Sequence, residues 1–237
     1  MRGATCLATI SAAALAAACA TTRTAESSGK TLSPGAHTLT VPRLAEPASE
    51  VTVFVQRATG DTAMRRVSSL TVTGSASPDH GVQLTKNWAP PFQSSDTLVV
   101  DAATLRPRSE VLVFNKVRRE YRYDGAHVTG AIQYPDSAPR SFDSTFDAPV
   151  FAFNEVEPLV RSLAFRTGVT VVVPLFSEVD ADLEHDTLSV TGSTRETGVD
   201  AWVVRFADPV ITTRYVVDAH TRAILDATTT QRKSGMR

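Results

Sequence analysis

One cysteine stands where its thiol could be used for chemistry. Cys19 follows the run Leu-Ala-Ala-Ala at residues 15–18 and closes a leader that has Arg2 near its start. A basic start, a short apolar segment and small residues before the cut are typical of a secretory signal peptide. A cysteine directly after the cut is typical of bacterial lipoproteins, whose thiol carries lipid with acyl chains such as palmitate. The sequence therefore predicts a signal peptide over residues 1–18 and lipidation of Cys19.

The leader has two alternative fates. An ordinary signal peptidase could cut near Ala18 or Ala20 and release a soluble periplasmic protein, or the segment could stay as an uncleaved anchor. The apolar stretch is shorter than the roughly 20 residues that span a bilayer, which argues against the anchor. No aspartate stands at the second mature position after Cys19. We therefore expect an outer-membrane lipoprotein that faces the periplasm and is held to the membrane by its acyl chains.

A run of alternating acidic residues is the densest group of potential ligands and catalysts. Its members are Glu178, Asp180, Asp182, Glu184 and Asp186. On an extended backbone they would point to one side, where their oxygens could hold Ca²⁺ or where a pair such as Asp180 and Asp182 could serve a hydrolase. The run lacks the central glycine of a calcium-binding loop, and its like charges repel one another, which favours a solvated loop. Two carboxylates with raised pKa values in one pocket would instead favour catalysis.

The motifs of the common enzyme classes are missing from the sequence. It has no Gly-x-Ser-x-Gly, no His-Glu-x-x-His and no phosphate-binding glycine loop. The five histidines are scattered, and both cysteines (Cys6 and Cys19) lie in the leader, so no metal cluster or disulfide is expected in the domain. A net charge of −1 without a long basic block is not a nucleic-acid footprint. We expect a protein that is not an enzyme and has no cofactor, metal or nucleic-acid partner.

The pattern Val-Val-Asp-Ala-x-Thr occurs twice. It places Asp101 before Thr104 and Asp218 before Thr221. An aspartate at a strand end can accept hydrogen bonds from backbone N–H groups two residues on, and the threonine can add a second such bond. A pair of ligand-binding carboxylates is the alternative interpretation. We favour a structural, turn-capping role for these four residues.

Period-two segments recur along the chain and predict a meander of antiparallel strands. One face is apolar and the other mixed, which is typical of a sheet packed on one side. The fold class expected is mainly β (α+β), with a large antiparallel meander sheet that forms an unclosed barrel. The predicted strands are residues 51–57, 67–74, 82–88, 95–101, 108–114, 118–123, 127–134, 140–146, 169–176, 187–192, 201–207, 211–217 and 223–229.

One amphipathic helix is predicted over residues 155–165. Asn154 is a suitable N-cap, and Glu155 and Glu157 fall in the first turn, where negative charge is favourable. An apolar stripe at helical spacing is expected to cover the concave face of the sheet as a lid. The stripe consists of Val156, Leu159, Val160 and Leu163.

Composition divides the chain into four parts. Residues 19–36 are rich in small and polar residues and predict a flexible tether after the signal peptide. Residues 37–230 are expected to form a single β domain of ordinary size, and residues 231–237 a short C-terminal tail.

From Ser95 to the last strand, the chain resembles a bacterial envelope domain family of uncharacterised function that is related to the LolA- and LolB-like lipoprotein-localisation carriers. The resemblance rests on residues 96–107, 122–130, 148–155, 173–176 and 215–222. It implies an unclosed β-barrel of about eleven antiparallel strands with helical elements over a concave, apolar face. In the carriers that face holds acyl chains, so the resemblance implies an acyl-binding cavity.

Two functions remain open at this point. The first is non-catalytic binding of an apolar or acylated ligand in the concavity of the sheet. The second is an interaction or scaffold lipoprotein of the envelope, with the concavity filled by its own side chains and the working residues in loops that contact another envelope protein. A cleft of several hundred Å³ lined by apolar groups distinguishes the first from the second. The oligomeric state and the identity of any ligand are not indicated.

Overall fold

A computed structural model describes residues 30–36, 39, 49–56, 62–74, 81–88 and 94–231 of the chain. Cys19, the predicted signal peptide and residues 232–237 lie outside this part. The described residues form mostly β structure, with one short helix.

A single sheet of fifteen strands accounts for most of the described chain. The first nine strands are β1 (Lys30–Thr31), β2 (Ser49–Gln56), β3 (Thr62–Gly74), β4 (Gly81–Trp88), β5 (Ser94–Asp101), β6 (Pro107–Phe114), β7 (Val117–Asp124), β8 (His127–Gln133) and β9 (Arg140–Thr145). The other six are β10 (Phe151–Ala152), β11 (Thr170–Ser177), β12 (Asp182–Glu196), β13 (Val199–Ala207), β14 (Ile211–Asp218) and β15 (Ile224–Gln231).

The sheet consists of two antiparallel meanders, β2–β9 and β11–β15, joined side by side. The junction is a parallel pairing of β15 with β2, in which Thr228 lies opposite Phe54. The short strands β1 and β10 both pair with β11 in parallel. The sheet does not close into a complete barrel, so the predicted fold class is confirmed. The large sheet is divided into two meanders, because β2 and β15, which come from opposite ends of the described chain, pair in the middle of it.

Aromatic side chains pack across the gap between the two ends of the sheet. Phe176 of β11 is fully buried, and its ring lies 4.9 Å from that of Tyr121 and 5.5 Å from that of Phe142. Tyr123 and Phe146 also contact it, both at 5.9 Å between ring centroids. These partners belong to β7, β9 and the residue after β9. The sheet thus rolls up until β11 packs against the far edge, and side chains rather than strand pairing hold the seam.

The rolled sheet requires close backbone approach at Gly130 in β8. A Cβ atom at this position would lie 2.0 Å from the backbone oxygen of Glu120 in β7, a distance that no side chain tolerates. The rings of Tyr121 and Phe142 belong to its register partners on either side and contact each other at 5.8 Å. Aromatic neighbours of this kind cover the gap that a strand glycine leaves.

The helix is shorter than predicted and begins differently. A single 3-10 turn, Phe153–Glu155, leads into α1, Val156–Ser162. Asn154 is not the N-cap; that position is Glu155, and the Asn154 amide donates to Glu110 Oε1 at 3.1 Å instead. The helix ends before Phe165 because Leu163 takes an extended conformation and forms a bridge with Leu39.

The first described residues lie against the β domain. Residues assigned to the tether, 30–36, include β1 and the buried Leu32, which belongs to the hydrophobic core. The Gly35 N–H donates to the Thr104 carbonyl oxygen at 2.8 Å. Residues 30–36, which the sequence assigns to the tether, therefore pack against the β domain.

Candidate functional site

The helix α1 lies within the rolled sheet and is buried on every side. All seven of its residues are buried, including the charged Glu157 and Arg161. The predicted lid residues all belong to the core: Val156 is 7% exposed, Leu159 and Val160 are 0% exposed and Leu163 is 2% exposed. In the described part of the chain, the concave face is thus packed by the protein's own side chains.

A group of buried carboxyls lies close to the start of this helix. Glu110 of β6 is central and accepts hydrogen bonds from the Tyr123 hydroxyl at 2.5 Å and from the Asn154 amide at 3.1 Å. Asp96 of β5 and Glu178, which follows β11, also hydrogen-bond to Glu110. Four hydrogen bonds to one carboxyl satisfy its acceptor capacity. The turn after β11 and the start of the 3-10 turn are thereby joined to the middle of the first meander.

Burial changes the protonation of this carboxyl cluster, which consists of Asp96, Glu110 and Glu178. Burial, reinforced by the charge of Glu110, raises the pKa of Asp96 to about 9. Burial likewise raises the pKa of Glu178 well above its usual range, and the charges of Glu110 and Asp96 add to the effect. The pKa of Glu110 is raised too, because burial outweighs its four hydrogen bonds. The raised pKa values favour the protonated forms of Asp96 and Glu178, which can donate to Glu110.

Other polar groups extend the cluster along the inner face. The fully buried Glu155 accepts the Ala152 N–H at 2.8 Å, and burial raises its pKa well above normal. Lys86 of β4 forms an ion pair with Glu157 of α1 at 2.9 Å. Arg119 of β7 is 7% exposed, and among the described residues its Nε and Nη1 have no partner. This end of the concave face is polar, not a continuous apolar lining.

A separate pocket of about 340 Å³ opens between two turns of the second meander. One turn joins β11 to β12 and the other joins β13 to β14. Its lining consists of Phe153, Ser177, Glu178, Val179, Asp180, Glu184, Asp208, Pro209 and Val210. We call it the hairpin pocket. Glu178 belongs both to this lining and to the carboxyl cluster. Its Oε1 accepts the Phe153 N–H at 2.7 Å.

The hairpin pocket carries several carboxyls. Burial raises the pKa of Glu184, and the charges of Asp208, Asp180 and Asp182 raise it further. Glu178 also has a raised pKa, so two carboxyls with raised pKa values line one pocket. Such a pair is a candidate acid–base arrangement as well as a candidate binding site.

A further aspartate lies beside this pocket on the same strand as Glu184. Asp186 is 1% exposed, and neither of its carboxylate oxygens has a hydrogen-bond partner among the described residues. Burial, with the charges of Glu184 and Asp208, raises its pKa to about 7.

The interpretation of the acidic run as a solvated loop is wrong for two of its members. The chain reverses between Ser177 and Asp182, where Ala181 takes a positive φ of 55° and its N–H donates to Ser177. Glu178 and Asp186 are buried, whereas Asp180 and Asp182 are exposed. A hairpin turn inside the run therefore sends its carboxyls in different directions. Among the described residues, no group of three or more acidic or histidine side chains is arranged to hold a metal ion.

Asp101 and Asp218 lie in two separate turns. Asp101 Oδ1 accepts the N–H groups of Ala103 and Thr104, each at 3.0 Å, and the Thr104 hydroxyl at 2.9 Å. The two aspartates occupy equivalent positions as the last residues of β5 and β14.

The second turn repeats these bonds. Asp218 Oδ1 accepts the N–H groups of His220 at 2.7 Å and Thr221 at 2.8 Å. The threonine hydroxyls accept the N–H groups of Arg106 and Ala223, each at 3.3 Å. The bonds stay within each turn, and the structure does not bring the four predicted residues into one site.

Another pocket, of about 470 Å³, lies over β6–β8. Its lining includes the buried Glu110 and Tyr121 together with the exposed Glu120 and Arg122, so it reaches the outer surface of the sheet. Its lining is mixed rather than apolar.

Sequence reasoning missed Asp96, Glu110 and Glu155. A signal for the first two exists: Asp96 alternates in register with Leu98 and Val100 in β5, which are buried. A charged residue on the apolar parity of a strand indicates an inward-facing carboxyl. No such periodicity marks Glu155, which lies in a 3-10 turn.

Comparison with known proteins yields a structural likeness. A crystallised beta-barrel-like protein of the domain of unknown function DUF1849 from Brucella abortus is similar, with a TM-score of 0.49 and 13% sequence identity over 77% of this chain and 89% of that chain. No family model matches the sequence, and no curated protein matches it. Within the described residues, no helix has the length and apolar character needed to cross a membrane.

Proposed function

We propose that this protein is a non-catalytic binding protein of the bacterial cell envelope, anchored by a lipid on Cys19, and that it binds its partner or ligand at the hairpin pocket. The anchor follows from the leader and the cysteine that ends it. The rolled sheet serves as a rigid support for two turns that carry the binding residues.

One observation favours the two turns, rather than the concave face of the sheet, as the binding region. The buried helix α1 occupies the concave face, whereas the hairpin pocket is open and flanked by two exposed valines, Val179 and Val210. A pocket of a few hundred Å³ with apolar walls and a few polar groups has the size and character of a small-ligand site. Acyl binding in the hollow would require the helix to move.

The test begins with protein purified from its native membrane under mild detergent. Intact mass measurement reports cleavage before Cys19 and any acyl chains, and native mass spectrometry reports what remains bound. We expect a bound species that is lost from the double variant Val179→Ser, Val210→Ser. These side chains are on the surface, so the variant should keep its thermal stability.

Leu225→Ser is the matched control, because Leu225 is an exposed apolar side chain of β15 that does not line the hairpin pocket. A species lost equally from both variants would contradict the proposed site. Stoichiometric fatty acyl ligand retained by both variants would place binding in the hollow instead. An unmodified Cys19 in the mature protein would overturn the anchor.

A second candidate function is hydrolysis at the hairpin pocket. It is favoured by one observation, the two carboxyls with raised pKa values, Glu178 and Glu184, that line the same space. A protonated and an ionised carboxyl together can act as general acid and general base. Chromogenic esters and glycosides would reveal such turnover, and its abolition by Glu184→Gln would favour catalysis over binding.

A further inference from the structure

One residue of the β11–β12 turn, Glu178, attaches that turn to the opposite end of the sheet. Its backbone carbonyl oxygen accepts the Tyr121 hydroxyl of β7 at 2.9 Å, and its side chain hydrogen-bonds to Glu110 of β6. Of the four turn residues 178–181, Glu178 alone makes hydrogen bonds to the first meander within the described part of the chain. The turn is therefore attached across the seam at a single residue.

The Glu178 carboxyl also holds the start of the 3-10 turn. Its Oε1 accepts the Phe153 N–H at 2.7 Å, and the residue is only 3% exposed. A carboxyl can accept a backbone N–H and also bond to a second carboxyl only while the two carboxyls share a proton. Without that proton, Glu178 and Glu110 are both acceptors, and their like charges repel each other.

The surroundings of Glu178 are mainly acidic. In the described part of the chain its hydrogen-bond partners are backbone N–H groups, a hydroxyl and a carboxyl, so no cation is bonded to it. Asp96 of β5 adds its charge to that of Glu110, while Lys86, which attracts Asp96, forms an ion pair with Glu157. The other titratable groups that face the carboxyl cluster or the turn are Arg119, Tyr121 and Tyr123 of β7, Glu155 of the 3-10 turn, and Asp180, Glu184 and Asp208 of the hairpin pocket.

The direction of the pH effect follows from burial. Burial and the charges of Glu110 and Asp96 raise the pKa of Glu178 well above its usual range. A proton that is bound more tightly in the folded protein stabilises it fully below the ordinary carboxyl pKa, and this stabilisation is lost as pH rises through the raised value. The attachment of the turn is therefore complete in acid and weakens as the solution becomes alkaline.

We propose that Glu178 is a proton-controlled latch, which fastens the β11–β12 turn to the first meander while it shares a proton with Glu110 and releases the turn when that proton is lost. The latch concerns the conformation of the turn and holds whether or not the hairpin pocket binds a ligand, so it goes beyond the proposed function. The Ala181 N–H donates to the Ser177 carbonyl oxygen at 2.8 Å, so the released turn keeps its own shape and moves as a unit. Because Glu178 and Val179 line the hairpin pocket, release also alters one wall of that pocket.

Methyl NMR spectra of the full-length protein, recorded from about pH 6 to about pH 10, test the latch. Ala181 is partly buried and packs against the core, so its methyl signal reports on release of the turn. The fully buried Val216 of β14 reports on the rest of the sheet. We expect the Ala181 signal to shift with a midpoint at least about two pH units above the ordinary value of 4.5 for Glu178, while the Val216 signal keeps its position.

A water-soluble gadolinium chelate distinguishes release from a mere change of charge. Such a chelate broadens the signals of methyl groups that it can approach. We expect it to broaden the Ala181 signal more at about pH 10 than at about pH 7, because release takes this methyl group away from the core. Broadening that is the same at both pH values would show that the turn stays attached.

Two variants identify the proton. Glu178→Gln keeps an acceptor for the Phe153 N–H and a donor for Glu110 but has no titrating proton, so its Ala181 signal should stay at the low-pH position throughout. Glu110→Gln offers an amide donor to the ionised Glu178 and should reduce the shift, which gives a second test if the first variant does not fold. Asp182→Asn is the matched control, since Asp182 is exposed at the other end of the same turn, and it should titrate like the wild type.

Three outcomes would overturn the latch. The first is a wild-type Ala181 signal that does not shift above the ordinary carboxyl pKa. The second is a shift of equal size in Glu178→Gln, which would assign the effect to another group. The third is a simultaneous shift of Val216, which would mean that the whole sheet loosens rather than the turn alone. None of these results depends on whether the valine double variant loses a bound species, so the latch and the proposed function can fail separately.

Discussion

Carboxyl groups can be stable in a protein interior when they share protons. Glu110 accepts hydrogen bonds from Asp96, Glu178, Tyr123 and Asn154, which come from four separate parts of the chain. A protonated carboxyl is a donor as well as an acceptor, so Asp96 and Glu178 can each hold a proton against Glu110 without placing three negative charges together. At the scale of the residue, the stability of this interior therefore depends on pH.

Asp96 contributes to this pH dependence together with the other carboxyls whose pKa values burial raises. Its pKa in the folded protein is about 9, above its usual value of 3.8, so folding favours the bound proton. The resulting stability is complete below about pH 4 and is lost as pH rises through 9, at up to about 1.4 kcal/mol per pH unit for one proton. Asp96→Asn imitates the protonated form. We expect this variant to be more stable than the wild type at pH 9 and to lose less stability between pH 5 and 9, as measured by urea denaturation.

Asp124→Asn is the control for this comparison, because Asp124 lies at the end of β7 and is exposed. It should leave the slope of unfolding free energy against pH unchanged. An Asp96→Asn variant with the wild-type slope would show that Asp96 is ionised in the folded protein and would contradict the shared-proton arrangement.

Part of this cluster can be predicted from the sequence. Asp96 lies on the apolar parity of β5, so its inward direction can be read from alternation alone. Glu110 likewise alternates with Leu112 in β6. The arrival of Glu178 and Asn154 from distant positions depends on how the sheet rolls, and no local pattern encodes that.

At the scale of the element, Gly130 sets the spacing between β7 and β8. Because a Cβ at this position would meet the Glu120 carbonyl oxygen at 2.0 Å, Gly130→Ala must push β7 and β8 apart or break their register. Backbone atoms cannot move aside as a flexible side chain can. We expect a loss of at least about 2 kcal/mol in unfolding free energy, comparable with other severe overpacking, measured by chemical denaturation.

Gly192→Ala is the matched variant in the same sheet. No atom lies within 4 Å of a Cβ added at Gly192, so only the ordinary strand preference for alanine over glycine applies. It should be neutral or slightly stabilising. Equal losses from both substitutions would refute the steric explanation.

The elements themselves were largely predictable because alternation is a strong local signal. The predicted strand 211–217 matches β14, Ile211–Asp218, within one residue. By contrast, β1 and β10 have two residues each and are stabilised by pairing with β11, so they carry no periodic pattern. The predicted start of the helix was wrong for a physical reason. The Asn154 side chain donates to Glu110 in the carboxyl cluster and so does not cap the helix.

The seam between the two ends of the sheet is a property of the whole molecule. Phe176 contacts four aromatic rings there and is fully buried. Phe176→Ala would leave a cavity between β11 and β7–β9, and we expect a loss of about 3–5 kcal/mol. Differential scanning calorimetry and urea denaturation measure the effect.

Phe176→Leu provides the graded comparison, because it keeps most of the apolar volume and loses the ring contacts. It should cost less than half as much as the alanine variant. If Phe176→Ala unfolded at the wild-type denaturant concentration, the seam would not contribute to holding the sheet in its rolled form.

The arrangement of the two meanders could not be predicted from the sequence. Alternation predicts which residues form strands and which face is apolar, but the parallel pairing of β15 with β2 joins segments from opposite ends of the chain. Such a pairing is selected by the packing of the whole interior, including α1. A resemblance based on turns and strands likewise implied about eleven strands, whereas the sheet formed by the described residues has fifteen.

The entry of the chain beside β11 has a consequence for where the protein can act. Lys30 pairs with Val171 near the start of β11, while the hairpin pocket begins at Ser177, roughly 20 Å further along the strand. If lipid is attached at Cys19, the polypeptide between it and Lys30 extends to at most about 40 Å. Every encounter would then occur within about 60 Å of the bilayer surface, so a partner must itself be resident in that thin layer or be brought into it.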